Sequence, residues 1–319
     1  MFSQFERGHV ENVMAVAASG DAARSPVAAS WRRSLVHHKL DPAESHAVGR
    51  LENAALRHRR ERVGPLLRIA APVLDRLAGA ALDAGCAVLL TDGDGLVIDD
   101  RTRSSDQAWF SGAGLVAGAN WSESEEGTNG IGTCLAERRP VIIHRGQHFR
   151  ATHTQLSCMG APVFGPEGQL TAVIDVSSVR GDLTEGHARL VSLAVIDAAR
   201  RIERELFRAA FATARILTLE GRDTTGPVLF AVDRDDLILG ATRAARRSFG
   251  LTEDDILARR PASDILGEDS PGGLDEAARS EMLRALHRAG GNVSAAAREL
   301  GIGRATFYRK MKQFGVQVS

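Results

Sequence analysis

Apolar positions along this chain change period several times, and each change marks an element. Ala28, Trp31, Leu35 and Leu40 share one face of a short helix that the Asp41-Pro42 turn ends. A short helix over about 9–18 precedes it, and two more follow, over about 43–62 and 65–84. The second of these carries Leu66, Ile69, Ala70, Val73, Leu74, Leu77 and Ala81, the stripe of a helix packed against a sheet or a partner. At Cys86 the period becomes that of strands: CAVLLTDGDGLVIDD predicts two strands around an Asp/Gly turn. A short helix over 128–137 and strands over 140–144, 161–164 and 170–177 come next, the last two flanking Gly165-Pro166-Glu167-Gly168. A long helix from about Thr184 to Leu219 then closes the stretch. Its Leu190, Leu193, Val195, Ile202, Leu206 and Ile216 offer apolar surface to a dimer bundle, partly shared with the sheet. This order of elements predicts an α+β fold, an antiparallel sheet with helices upon it.

Past this point the chain changes character twice. Residues 227–265 predict two strands around the turn 233–236, followed by an amphipathic helix. They resemble the first half of a PAS unit, with too little chain for a complete one, so a partial PAS-like module is expected. A polar stretch leads from there to the last forty residues, where two helical patterns meet at Gly301-Ile302-Gly303. Ser294 is placed to cap a helix of small residues (Ala295, Ala296, Ala297) with Leu300. Gly301 supplies the positive φ that ends it, and Ile302 plugs the turn. In the second helix, from Arg304 to about Phe314, Phe307, Met311 and Phe314 form a buried stripe. Arg304, Thr306, Tyr308, Arg309, Lys310 and Lys312 lie off that stripe. A preceding helix over about 274–289 contributes Met282, Leu283, Leu286 and Ala289. This is the pattern of a helix-turn-helix with a basic second helix, all α, suited to a DNA major groove.

From Met282 to Val316 the pattern resembles the Fis-type DNA-binding domain, including Gly291-Asn292 before the first short helix. The resemblance implies double-stranded DNA as partner, and a homodimer joined through the long helix would place two recognition helices on a palindromic site, its half-sites ~34 Å apart. Candidate DNA contacts are Ser294, Arg304, Thr306, Tyr308, Arg309, Lys310 and Lys312.

Composition sharpens this picture. The formal net charge of the 319 residues is zero, yet from Ser294 onward Arg298, Arg304, Arg309, Lys310 and Lys312 face the single acid Glu299. The average thus hides a basic end behind the acidic stretch 253–281. A second basic cluster, Arg32, Arg33, His37, His38 and Lys39, reads as a solvated helix face. Three cysteines with no CxxC pair exclude a disulfide framework and a zinc ribbon. No apolar run has membrane-spanning length and no signal-peptide core is seen, so the expected compartment is the cytoplasm, with no membrane partner.

The densest motif outside the C-terminus runs from Asn120 to Ser178. With Ser30-Trp31-Arg32 and Leu40-Asp41-Pro42 it resembles the GAF sensor of activators similar to the acetoin and glycerol-metabolism regulators. The match rests on Trp121, Glu123, Gly127-Thr128-Asn129, Ile131-Gly132-Thr133, Pro140-Val141 and His148-Phe149. It continues through His153, Cys158, Ala161-Pro162-Val163, Gly168 and Asp175-Val176-Ser177. It spans about 28–205 and implies a sensor that takes a small molecule. Activators of that family usually carry a sigma-54-coupled ATPase module, whose phosphate loop ends in Gly-Lys. No Gly-Lys pair occurs anywhere in this sequence, and Gly127–Gly132 lacks the lysine. Regulation would then proceed through DNA and RNA polymerase or by blocking access. The expected division is a helical N-terminal region over 1–84, a GAF-like sensor over 85–220, the PAS-like module over 221–266, a linker over 267–279 and the helix-turn-helix over 280–319.

Candidate ligand-binding residues are Trp121, Glu126, Thr128, Asn129, Cys134, His144, His148, His153 and Cys158. Trp121 could wall a cavity between sheet and loop, with Thr128, Asn129 and the histidines orienting polar groups. Gly127, Gly130 and Gly132 read as backbone devices of the helix entry. No catalytic constellation such as G-x-S-x-G occurs, no cofactor is required, and the His/Cys spacings match no metal motif. Three alternatives stay open. The Cys/His set could sense metal or redox state, or the chain could be an accessory, architectural DNA-binding protein whose sensor binds nothing.

Overall fold

The computed structural model describes residues 4–20, 24–219, 225–234, 236–266, 278, 279, 281, 282, 285, 286, 289–314 and 316. The chain forms two compact units, Met1–Arg259 and Arg260–Ser319.

The first unit is built on a five-stranded antiparallel sheet in the order β2-β1-β5-β4-β3. Its strands are β1 (Cys86–Asp92), β2 (Val97–Arg101), β3 (Val141–His144), β4 (Ser157–Phe164) and β5 (Leu170–Ser178). Every residue of β1 and β4 is buried, because helices cover both faces. Val88, Leu90, Met159, Ala161, Ile174 and Val176 face one way, onto α4 (Gly64–Ala81) and α8 (Glu185–Ala210). Ala87, Leu89, Cys158 and Val173 face the other way, under α5 (Gln107–Gly112), α6 (Glu123–Glu126) and α7 (Gly130–Glu137), with Phe110, Trp121 and Ile131. This two-faced burial is the period-2 alternation of strands with both sides covered.

N-terminal helices clasp that second face. In α1 (Gln4–Ala18) and α2 (Pro26–Arg32), Val13, Ala17 and Trp31 pack with Phe149. Ser25 caps α2 by accepting from Ala28 N. Trp31 Nε1 donates to the Gln147 carbonyl at 2.9 Å, and Arg33 grips Glu123 through two bonds of 2.9 and 3.1 Å. The basic cluster is therefore not wholly solvated, since Arg33 also reaches Glu137 at 2.9 Å.

Two predicted helices have different bounds. The helix expected over 43–62 is α3, Asn53–Arg62 only. Residues 49–51 run extended instead: Asn120 N donates to the Gly49 carbonyl and Leu51 N to that of Gly118, so backbone partners replace helical ones. The long closing helix stops at Ala210 rather than Leu219. Phe211 folds back onto Phe207, ring centroids 4.8 Å apart, and sits where a Cβ on Gly240 would be. Arg215–Leu219 is then β6, paired antiparallel with β7 (Val228–Val232), with β8 (Ile238–Ala241) on the far side. Ile216 lies opposite Ala231 in a strand and cannot join a helical dimer seam. Leu190 and Leu193 remain exposed on α8. α9 (Arg243–Phe249) and α10 (Glu253–Leu257) complete this small module, each with a threonine cap.

The second unit opens with α11 (Ala262–Leu266). The expected linker 267–279 lies outside the described residues except for Ala278 and Arg279, as does Leu283. Helical residues 278, 279, 281, 282, 285 and 286 precede α12 (Val293–Glu299) and α13 (Arg304–Phe314). Asn292, not Ser294, caps α12: its Oδ1 accepts from Ser294 N at 3.0 Å and Ala295 N at 3.1 Å. Gly301 adopts φ +66°, and Ile302 N returns to the Ala297 carbonyl at 3.0 Å. Met282, Leu286, Val293, Ala296, Ala297, Phe307, Met311 and Val316 form the core.

Candidate functional sites

On α13 the buried stripe Phe307 and Met311 leaves a continuous outer arc of Arg304, Tyr308, Arg309 and Lys312, all exposed. Arg304 stacks its guanidinium 5.6 Å from the Tyr308 ring centre. Thr306 and Lys310 are half-buried at the flank, where Lys310 Nζ lies 5.2 Å from the Phe314 ring centre. The arc is thus narrower than the six residues read from the sequence. Ser294 sits in the first turn of α12 with its backbone N–H held by Asn292.

The nine candidate ligand residues are all in or beside the second face of the sheet, but they do different things. Asn129 is fully occupied by the backbone. It caps α7 by accepting from Ile131 N and Gly132 N, and its Nδ2 donates to the carbonyls of Trp121 and Gly127. Thr128 Oγ1 lies 2.7 Å from Ser30 Oγ, tying α2 to the glycine motif. Trp121 is buried core whose Nε1 donates to the Gly114 carbonyl at 2.8 Å. His144 Nδ1 is 2.9 Å from Ser157 Oγ. Cys134 Sγ donates to the Arg139 carbonyl at 3.4 Å.

His148, Cys158, Ser177 and Asp175 form a buried polar chain. His148 Nδ1 is 2.9 Å from the Arg145 carbonyl and Nε2 is 3.4 Å from Cys158 Sγ. Cys158 Sγ is 3.1 Å from Ser177 Oγ, which donates to Asp175 Oδ2 at 2.6 Å. Burial pushes the His148 imidazole down to about 4 and both the Cys134 and Cys158 thiols well above their ordinary range. Buried thiols held protonated are poor nucleophiles, which weighs against redox sensing. Among the described residues no three His, Cys, Asp or Glu side chains assemble as a metal set.

Asp175 gives a test of this burial. Its Oδ1 has no hydrogen-bond partner among the described residues, and burial lifts its carboxyl to about 6 from an ordinary 3.8. Below the lower value both folded and unfolded chains hold the proton, and nothing is lost. Above about 6 the folded state carries the whole penalty, about 3 kcal/mol. Asp175→Asn is therefore expected to gain about 3 kcal/mol relative to the parent between pH 3.5 and pH 7.5. Urea denaturation of both chains at the two pH values measures it; a difference that does not move with pH rules the burial penalty out.

A second polar group surrounds Glu126. Burial raises its carboxyl, while Arg150 Nε at 3.2 Å and His46 Nε2 at 3.1 Å draw it back. His153 Nε2 lies 3.7 Å from the same carboxylate, and its ring is 4.9 Å from that of Trp121. Burial holds His153 neutral, its imidazole pushed down to about 3, and its Nδ1 has no hydrogen-bond partner among the described residues. Beside it opens a cavity of about 290 Å³, walled by Val48, Trp109 and Leu156 with His46, Thr152 and Gln155. Of the nine candidates, only His153 lines this cavity. His46 and Trp109 were missed, because His46 arrives from a loop 80 positions before Glu126, a distance no local pattern reports.

Residues 4–198 match the family model described as MimR, N-terminal domain, and residues 274–314 match that of bacterial regulatory proteins of the Fis family. The acetoin catabolism regulatory protein of Cupriavidus necator is 33% identical over 276 residues, covering 82% of this chain and 41% of the relative. The propane 2-monooxygenase operon transcriptional activator MimR of Mycolicibacterium smegmatis is 34% identical over 160 residues, 49% of this chain and 26% of the relative. The chain therefore spans less than half the length of these curated relatives. A chain of the E. coli DhaR(N)-DhaL complex superposes with a TM-score of 0.54 at 14% identity, over 75% of this chain and 81% of that one, which shows a shared fold. Matched over more than half its residues, this chain belongs to the MimR N-terminal-domain family and carries a Fis-type helix-turn-helix at its C-terminal end.

Proposed function

We propose that this chain is a DNA-binding transcription regulator whose sensor unit responds to a small molecule and whose Fis-type end reads the target. The observation that carries this reading is the outer arc of α13, which runs from Arg304 at the edge of the packed stripe through Lys312 to Arg309 opposite it, all exposed. A helix of that kind fits the major groove, guanidinium and ammonium groups meeting phosphates and base edges. The relatives' names, as regulators of acetoin catabolism and of a propane 2-monooxygenase operon, support the same role. The working division keeps the helical region, the GAF-like sensor, the PAS-like module and the helix-turn-helix as successive parts of a homodimer on a palindromic site. It regulates through RNA polymerase or by occlusion, without ATP hydrolysis or other enzymatic activity. No described helix is long and apolar enough to cross a membrane, in keeping with a cytoplasmic regulator.

The signal is proposed to enter the cavity beside His153. The neutral His153 imidazole, with His46, Thr152 and Gln155 beside Val48, Trp109 and Leu156, gives a mainly polar lining that suits a small uncharged polar molecule. The remaining candidates, Asn129 above all, would hold the walls rather than touch the ligand.

The decisive experiment is selection of genomic fragments by the full chain at two salt concentrations, with the triple variant Arg304→Ala, Arg309→Ala and Lys312→Ala beside it. A few palindromic fragments that survive high salt and are lost with the variant support the regulator. Weak, uniform binding that vanishes with salt leaves only counterion release and favours an architectural role. For Arg309→Ala alone, a phosphate contact predicts an affinity loss that is equal across sequences, with the log-log salt slope shallower by about 0.9. A loss confined to one base position would instead place Arg309 on a base edge.

A further inference from the structure

Between the five-stranded sheet and the β6-β7-β8 module lies a cleft that the sensor reading leaves unused. Its volume is about 210 Å³. Four elements meet there: the turn after α7, the end of β4, the middle of α8, and α9. They bring together Arg138, Arg139, Arg200, Arg243 and Arg247 around a single acid, Glu203. Beneath this basic mouth the wall is apolar, formed by Pro162, Ile196 and Ala199.

The parts are held in place. Arg138 ends α7 in the left-handed conformation, φ 52°, with its N–H on the Cys134 carbonyl, which fixes the direction in which the Arg138–Arg139 pair leaves the helix. Arg243 lies over the Phe164 ring, its guanidinium carbon 4.0 Å from the ring centre. Glu203 is turned inward, its Oε1 accepting from Phe164 N at 2.9 Å. Burial pushes that carboxyl up to about 7, so near neutral pH it is only partly ionised. Arg139 is 3.6 Å from Glu137, while Arg138 and Arg247 make no ion pair with any described residue.

Five guanidinium groups converging on one small cleft repel one another, and a solvated face would let them splay apart. Here all five line one cleft with an apolar floor, Arg138 fixed by its backbone turn and Arg243 by its ring contact. Guanidinium forks match the oxygens of carboxylates and phosphates in pairs, and a short hydrocarbon body fits the wall. We propose that this cleft is a second ligand site, taking a small organic anion that carries a carboxylate or phosphate on a body of a few carbons. It is distinct from the cavity beside His153, which suits a neutral molecule, and it joins the sensor sheet to the module that follows it. Occupancy would tie α9 to the α7–β3 turn through one anion.

The test is calorimetric titration of the full chain at low salt with butyrate, butyl phosphate, inorganic phosphate and 1-butanol. Saturable binding of at least one butyl anion, tighter than inorganic phosphate and with no counterpart for the alcohol, is expected. Which butyl anion binds tighter decides between carboxylate and phosphate as the natural head group. Arg138→Ala with Arg247→Ala should weaken the tighter anion at least about 10-fold. Both residues are exposed, so the fold is retained, and Arg247→Glu alone should show the same loss. The proposal is overturned if no anion saturates by about 20 mM, if alcohol and anion bind alike, if inorganic phosphate binds as tightly as both, or if neither variant changes the affinity. None of these outcomes depends on DNA binding, so the site can fail while the regulator reading stands.

Discussion

Gly132→Ala is expected to lower the melting temperature of the Met1–Arg259 unit by roughly 6–12 °C, about 3 kcal/mol for a body of this size. Gly132 lies in the first turn of α7, where its N–H donates to Asn129 Oδ1 at 2.8 Å. A Cβ there would stand 2.4 Å from Glu123 N, 2.8 Å from Ser122 C and 2.8 Å from the Trp121 carbonyl oxygen. All three are backbone atoms, so no side chain can swing aside. Helix α7 would have to withdraw, and the same movement strains every bond that Asn129 makes to Trp121, Gly127, Ile131 and Gly132. Gly146→Ala is the control: its Cβ would have nothing within 4 Å, and a change within about 0.5 kcal/mol is expected. Calorimetric scans of the two variants beside the parent decide the matter, and equal melting temperatures would mean that α7 does not sit this close to α6.

The glycine motif shows what was legible in the sequence. Gly127, Gly130 and Gly132 read there as backbone devices, and the close approaches around each bear this out. The short apolar runs from Cys86 to Ser177 likewise read as strands, whereas the helices that cover both faces show only in the packing. Failures lie where local propensity competes with distant partners. Residues 215–219 continue the apolar spacing of α8 and so read as helix; only pairing with Val228–Val232 makes them a strand. Ser294 is a good cap by composition, yet Asn292 lies two residues earlier with an oxygen that reaches two free N–H groups. The His and Cys side chains are spaced closely in sequence, but Cys158 and His148 point into a dry polar chain while His153 faces a cavity. Which of them meets solvent is fixed by the loop that brings His46 and the helix that brings Trp109, and neither appears in the spacing.

Phe307→Ala is expected to abolish specific DNA binding, by at least about 100-fold in affinity, while the thermal transition of the Met1–Arg259 unit stays where it was. Phe307 is fully buried beside Met282, Leu286, Ala296 and Met311, and among the described residues it is the one fully buried aromatic ring of that core. Removing the ring from such a site costs about 3–5 kcal/mol. A single core of this size supplies little more than that in total, so the loss takes the whole small unit. The basic arc then has no scaffold, although every charge on it is retained. Phe307→Leu keeps most of the volume and should recover most of the affinity, which separates packing from any direct role of the ring. Arg309→Ala provides the converse, a weakened complex on an unchanged fold, since its side chain is exposed and outside the core. Fragment binding and hydrogen exchange of the four chains distinguish the two kinds of loss. If Phe307→Ala bound its fragments as the parent does, the packed stripe would not be what presents α13, and DNA itself would have to order the helix.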